Sequence, residues 1–328
     1  MGIKVETHPF YSTEGYRILY TSGNTLKKVW ETLLAYGRRF RLLFNLSAYD
    51  TVLVQRSVTP LGPPIFEWLI VKVLGKQLVY DFDDAIWIPD PGSSPLVRAL
   101  KWYSKVGQIC RLATWVTVGN DYLYRFASLH TNRVVLIPTV VDTTGKYLPA
   151  DSSPESTIVT VGWTGSHSTL PYLNMVEDAL LYLQKNEKVR IKIIADVPPT
   201  LPEVDVNFVR WKATNEVEEL NKIDVGIMPL RADSWSEGKC GFKAIQFMAL
   251  GIPVVASPVG VNSTIISHGA NGYLASTTEE WIGALNLLVR DAQLRKVYGQ
   301  AARKKIEKQY SIQAVLPLWQ RLFADLDK

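Results

Sequence analysis

Short apolar runs alternate with longer stretches in which apolar residues recur every three or four positions, almost throughout the chain. The runs at Ile3–Pro9, Asp50–Gln55, Gln77–Phe82, Trp115–Val118 and Val134–Ile137 read as strands. Between them, helical spacing is found at about 23–46, 63–74, 95–112 and 120–129. In the second half, strands are expected at Thr157–Val161, Arg190–Ala195, Asn207–Trp211, Val225–Pro229, Pro253–Ala256 and Gly272–Leu274. Helices are expected at 171–185, 215–222, 241–250, 278–290, 292–309 and 312–326. Such alternation implies βαβ units, because parallel strands need a crossover between them. Val225–Pro229 and Pro253–Ala256 are continuously apolar, as suits strands covered on both faces. The pattern predicts an α/β protein with two Rossmann-like domains facing each other across a cleft.

The stretch Thr143–Glu155 is polar and rich in Pro and Ser, and reads as the linker. Expected domains are therefore 1–150, 151–310 and a closing helix over 311–328. With 328 residues, 47% hydrophobic, the chain has material for two cores. No run of about 18 uncharged apolar residues suggests a membrane-spanning helix, and the start shows no signal-peptide pattern. Cys110 and Cys240 lie in different expected domains, so a disulfide framework is not expected and a cytoplasmic location fits. Charge divides the halves. Residues 1–150 hold 17 Lys+Arg against 11 Asp+Glu, and residues 151–328 hold 19 against 20. A basic first half points to an anionic membrane, a phosphorylated acceptor or nucleic acid. No recognisable nucleic-acid module holds the basic residues, so nucleic acid is not expected.

Five segments could carry chemistry. In VGWTGSHSTLP (161–171), a strand is expected to end in a Gly-X-X-Gly turn before a helix. Gly162 and Gly165 would let backbone approach a ligand, and the helix N-terminus would favour a diphosphate. His167 could donate to phosphate or simply be exposed. The third glycine of a dinucleotide fingerprint is missing. In RADSWSEGKCGFKAIQFMALG (231–251), Lys239 and Lys243 sit beside Gly238 and Gly241 at a helix start, a compact cationic anion site. Gln246, one turn on, could reach a ribose. GIPVVASPVG (251–260) is a turn, a buried strand and a second turn. In YDFDDAIW (80–87), Asp83 and Asp84 at a strand end suit hydroxyl recognition better than metal, since no His lies near in sequence. Finally, Thr25–Asn45 sets Leu26, Val29, Trp30, Leu33, Tyr36, Phe40 and Leu43 at helical spacing, flanked by Lys27, Lys28, Arg38, Arg39 and Arg41. That pattern fits a helix on an anionic membrane surface, or a helix packed on the sheet with solvated arginines.

The stretches VGWTGSHST, DVGIMPL, EGKCGFKAIQFMALGIPVVASPVG and NGYLAS resemble glycosyltransferase family 4, also called group 1, whose fold is GT-B. VQRSVTPLGPPIFE, VYDFDDAIW, VGNDYL and LIPTVVD resemble one bacterial branch of it. The resemblance implies retaining transfer from a nucleoside-diphosphate sugar, with no obligatory metal or other cofactor and a family habit of UDP. It implies a C-terminal domain that binds the nucleotide and an N-terminal domain that binds a glycan, lipid-linked or other hydroxyl acceptor. It also implies a last helix crossing back to the first domain. The expected donor-binding residues are Gly162, Trp163, Thr164, Gly165, Ser166, His167, Trp211, Gly238, Gly241, Phe242 and Gln246. Catalytic roles are expected for Asp83, Asp84, Lys239 and Lys243. The chain departs from the family pattern in three places. Gln246 and Gly238 stand where many members carry a pair of glutamates. Trp163 stands where arginine is common. A first strand, glycine-rich loop and helix are not seen before Gly2–Pro9. A sugar-nucleotide epimerase and a non-catalytic sugar-nucleotide-binding protein are the rival readings. The inner face of the cell membrane is the expected site of any peripheral attachment.

Overall fold

The computed structural model describes residues 3–21, 23–89, 93–150 and 158–326. Part of the expected linker, 151–155, lies outside the described residues. The chain divides into two units, Met1–Ile137 with Gln320–Lys328, and Pro138–Trp319.

The first unit holds α1 (Thr13–Tyr20), α2 (Thr25–Asn45), β1 (Thr51–Gln55), α3 (Ile65–Trp68), β2 (Gln77–Phe82), α4 (Pro95–Lys101), α5 (Lys105–Leu112), β3 (Trp115–Val118), α6 (Asp121–Ser128) and β4 (Val134–Leu136). Its four strands pair in parallel in sequence order, β1-β2-β3-β4. Leu78, Val79, Tyr80 and Phe82 of β2 are fully buried, as expected of a strand covered on both faces.

Three expectations are corrected here. Ile3–Pro9 forms no strand: residues 3–9 are exposed, and among the described strands β1 pairs only with β2. Without a neighbour to bond to, β-propensity alone does not make a strand. The helix expected over 95–112 is two. Ser94 caps α4, and Trp102 then adopts a left-handed φ of 53°, which stops it before α5. The 63–74 helix is short and widens into a π-helical stretch, Leu69–Val73. Helix α1 was not expected; its N-cap Ser12 accepts from Gly15 N–H.

The second unit holds β5 (Val159–Gly165), α7 (Glu177–Asn186), β6 (Val189–Ala195), β7 (Val206–Arg210), α8 (Glu216–Leu220), β8 (Val225–Met228), α9 (Ser234–Glu237), α10 (Phe242–Ala249), β9 (Val254–Ala256), α11 (Asn262–Ile265), β10 (Gly272–Leu274), α12 (Thr278–Arg290) and α13 (Ala292–Gln309). Its parallel sheet has the order β10-β9-β8-β5-β6-β7. Two apolar layers cover it. Val161, Trp163 and Val255 point to one with Leu180, Trp281 and Leu285. Ile194, Val254 and Ala256 point to the other with Phe247, Met248 and Ile306. Helix α14 (Ile312–Leu326) contains the division between the units. Its Leu326 carbonyl accepts from the Gln77 side chain at 2.7 Å.

The order of the second sheet reverses at one seam. From β5 the chain builds outward through β6 and β7, and it then returns to β8 on the other side of β5. Open α/β sheets bind ligands beyond the strand C-termini at such a seam, because neighbouring connections leave there in opposite directions. The ends of β5 and β8 lead into the first two candidate segments.

Candidate functional site

Strand β5 continues through Gly162–Gly165, four residues past the expected end, so the turn is Ser166–Thr169. Gly162 is therefore inside the sheet. A Cβ there would come within 2.4 Å of Ile223, so its missing side chain serves packing in the fold. At Gly165 a Cβ would meet the Trp163 indole at 2.4 Å and Thr169 Oγ1 at 2.7 Å. The fully buried Trp163 lies under this turn, and Thr164 is buried beside it.

Thr169 ties the segments together. Its hydroxyl accepts from Ser166 N–H at 3.2 Å and from Lys243 Nζ at 3.1 Å, and donates to the Ser166 carbonyl at 3.1 Å. The Lys243 ammonium also sits 4.5 Å from the centre of the Trp163 ring, a cation–π contact. Burial, and secondarily the charge of Lys239, pull its pKa down to about 7. Lys239 lies 5.5 Å above the Trp235 ring. Gly241, with φ +70°, begins α10, and no side chain caps the helix. Uncapped first-turn amides and two nearby ammonium groups favour an anion. Phe242 is exposed, and Gly238 ends α9 with ordinary right-handed backbone.

The turn after β5 is partly filled by the protein itself. Asp196, just beyond β6, accepts from His167 N–H and from His167 Nδ1, both at 2.6 Å. Burial would raise its pKa, but these bonds outweigh that and hold it below the ordinary carboxylate range. Ser166 Oγ lies 2.9 Å from Ser168 Oγ.

One turn along α10, the buried Gln246 amide donates to Tyr147 Oη at 2.8 Å and to Glu216 at 3.2 Å. Glu216 also accepts from Lys146 at 2.7 Å, Tyr147 at 3.0 Å and the Trp211 indole at 3.1 Å. Burial alone would raise its pKa; bonds from Lys146, Trp211 and Tyr147 outweigh it and hold the carboxyl low. Sequence reasoning missed Glu216 and Asp196, because each is joined to its partners only by folding.

In the first unit, Asp83 and Asp84 follow β2 and share Arg56, at 3.1 and 2.5 Å. Arg56 follows β1 with φ 64°, and its carbonyl accepts from Tyr80 Oη at 2.7 Å. Asp81 does not join them; it is bonded by Thr117 at 2.6 Å. Among the described residues, no group of three or more His, Cys, Asp or Glu is placed to hold a metal ion. A cavity of about 420 Å³ in the same unit is lined by Pro63, Pro64, Ile65, Trp68, Gln108, Arg111 and Leu112, none of them an expected site residue.

Residues 157–291 match the family model described as glycosyl transferases group 1. The sulfoquinovosyl transferase SQD2 of Arabidopsis thaliana is 28% identical over 173 residues, covering 48% of this chain and 32% of that protein. The chain thus spans about a third of this curated relative's length. The sucrose-phosphate synthase of Thermosynechococcus elongatus superposes with a TM-score of 0.68 at 15% identity, over 92% of this chain and 79% of that one. HepE of Anabaena, solved with UDP, superposes at 0.66 and 15% identity, over 88% and 82%. These structural likenesses speak for the fold: an α/β chain with two parallel sheets of the GT-B kind. Residues 157–291 are thus similar to the glycosyl transferases group 1, while the likeness to solved structures speaks for the fold of the chain as a whole.

Proposed function

We propose that the protein is a retaining glycosyltransferase, moving a hexose from a nucleoside-diphosphate sugar to a glycan, lipid-linked or other hydroxyl acceptor. One observation carries this reading: a sunken Lys243 ammonium beside Lys239, at an uncapped helix start and a reversal of strand order. The donor's diphosphate takes the place before Gly165, Lys239 and Lys243, and Phe242 and Trp211 border the nucleotide. The Gln246–Glu216 pair meets the ribose. UDP is the nucleotide of choice, a reading supported by HepE, which has been solved with UDP and with UDP-glucose.

The acceptor belongs to the first unit, where Arg56 holds the Asp83 and Asp84 carboxylates ready for sugar hydroxyls. The acceptor hydroxyl attacks the anomeric carbon from the side on which the diphosphate leaves, so the configuration is kept. The C–O bond to phosphate breaks, and the departing oxygen takes the hydroxyl proton. Ammonium groups and helix amides stabilise the charge growing on that oxygen. No carboxylate nucleophile is needed, unlike in retaining glycosidases. The proposed place of action is the cytoplasm, including the inner face of the cell membrane.

Hydrogen bonds to charged groups contribute about 1.5–3 kcal/mol each. The double variant Lys239→Ala/Lys243→Ala should therefore bind UDP about 100-fold or more weakly in calorimetry, with the fold intact by circular dichroism. Unchanged affinity would remove the phosphate assignment.

A further inference from the structure

Helix α2 is amphipathic, but its apolar side is turned outward. Leu26, Trp30, Leu33, Gly37, Phe40 and Phe44 are spaced alternately by four and three, so they form one stripe along the helix. Every one is exposed, Leu26 at 87%, Trp30 at 60% and Phe44 at 73%. The opposite side is the covered one, and it mixes polar side chains with half-buried Leu42 and Leu43. Fully buried Ala35 is accompanied there by half-buried Lys28, Glu31, Thr32, Tyr36 and Arg39. Thr32 Oγ1 lies 3.2 Å from Tyr11 Oη, Arg39 lies 5.8 Å from the centre of the Phe10 ring, and Tyr36 donates to the Leu61 carbonyl at 2.7 Å. Burial pulls the Arg39 pKa down, and its Nε has no hydrogen-bond partner. A surface helix normally buries its apolar stripe. Here a stripe of about 27 Å, at 1.5 Å per residue, is left uncovered.

The surroundings carry the same chemistry. Lys27, Arg38 and Arg41 are exposed along the flank of the stripe, and α2 has five basic residues against one acidic residue. Beyond the Leu61–Gly62 loop, whose Gly62 N–H donates to the Leu100 carbonyl at 2.7 Å, α4 exposes Leu96 and Leu100 with Arg98, and Trp102 is exposed just after it. Aromatic and aliphatic side chains rimmed by cations match the boundary between anionic headgroups and acyl chains. A second copy matches poorly, since pairing α2 with itself would set two strongly basic helices side by side.

We propose that α2 lies in the surface of an anionic lipid bilayer, with its outward stripe among the upper acyl chains and Lys27, Arg38 and Arg41 at the lipid phosphates. Nothing in this rests on the transfer reaction, and the test reads no catalysis. The full chain is floated with vesicles of phosphatidylcholine containing phosphatidylglycerol, and with phosphatidylcholine alone. Binding is expected only to the anionic vesicles and is expected to weaken as salt rises. Each of Lys27→Gln, Arg38→Gln and Arg41→Gln should lower partitioning about five-fold. Trp30→Ser combined with Phe44→Ser should abolish flotation while thermal melting and UDP binding stay unchanged. Failure to float on anionic vesicles would overturn the proposal. So would equal flotation of the Trp30→Ser/Phe44→Ser protein, or a dimer in sedimentation that this double variant dissociates.

Discussion

Lys243 is held by an unusual set of neighbours for an ammonium: an indole face, a threonine hydroxyl and another lysine. At the proposed donor site, its pKa of about 7 makes nucleotide affinity depend on pH. Below pH 7 the group already carries its proton, so binding a diphosphate requires no uptake. Above pH 7 the empty site is mostly neutral, and the anion, which favours the charged form, must draw in a proton. Affinity for UDP should thus be flat below about 7 and fall towards about tenfold per pH unit above it. Calorimetry in two buffers of different ionisation heat reads the uptake directly. A flat profile between pH 7 and 9 would show that Lys243 does not meet the phosphates. Neither the pKa nor the His167–Asp196 and Lys146–Glu216 pairs could be read in the sequence, where their partners stand 29 and 70 positions apart. The two lysines and the glycines around them were legible, because they lie within one short segment.

At the scale of elements, the positions of Gly241 and α10 are tightly bound to each other. Gly241 has φ +70°, and a Cβ there would come within 2.3 Å of Ile265 in α11. Gly241→Ala would pay left-handed strain of about 1–2 kcal/mol and overpacking of about 1–3 kcal/mol. A loss of roughly 2–5 kcal/mol is expected in urea unfolding; a loss under about 0.5 kcal/mol would mean that the helix start is not fixed by this residue. Elements with strong patterns were legible. The apolar runs became β8 and β9, and α12, α13 and α14 fall where their periodicity put them. Helix α2 was legible as a helix, but its outward face was not, because periodicity identifies a stripe without saying which side the fold covers. Ile3–Pro9 and the 95–112 helix failed for reasons outside local pattern, a missing neighbour and one left-handed residue.

For the whole molecule, two parallel sheets followed from the alternation of elements, and the GT-B likeness agrees with them. A ligand that binds only the folded state stabilises it by about 2.7 kcal/mol at a hundredfold excess over its Kd. For a unit of this size that corresponds to a rise of roughly 5–10 °C in melting temperature. UDP should produce it, and the Lys239→Ala/Lys243→Ala protein should show at most about 1–2 °C at the same concentration. An equal rise in both proteins would place the nucleotide elsewhere.

The seam between β5 and β8 has a consequence for how the protein comes into being. Val161 must wait for Val225, so the chain through β6, β7 and α8 has to be made before that pairing can close. Contacts this distant in sequence form slowly, since loop closure costs entropy before it is rewarded. The lysine-bearing turn after β8 and the threonine-bearing turn after β5 meet only across this junction. On the proposed reading a half-made chain has no nucleotide site, and UDP added during refolding should slow unfolding without hastening the first collapse.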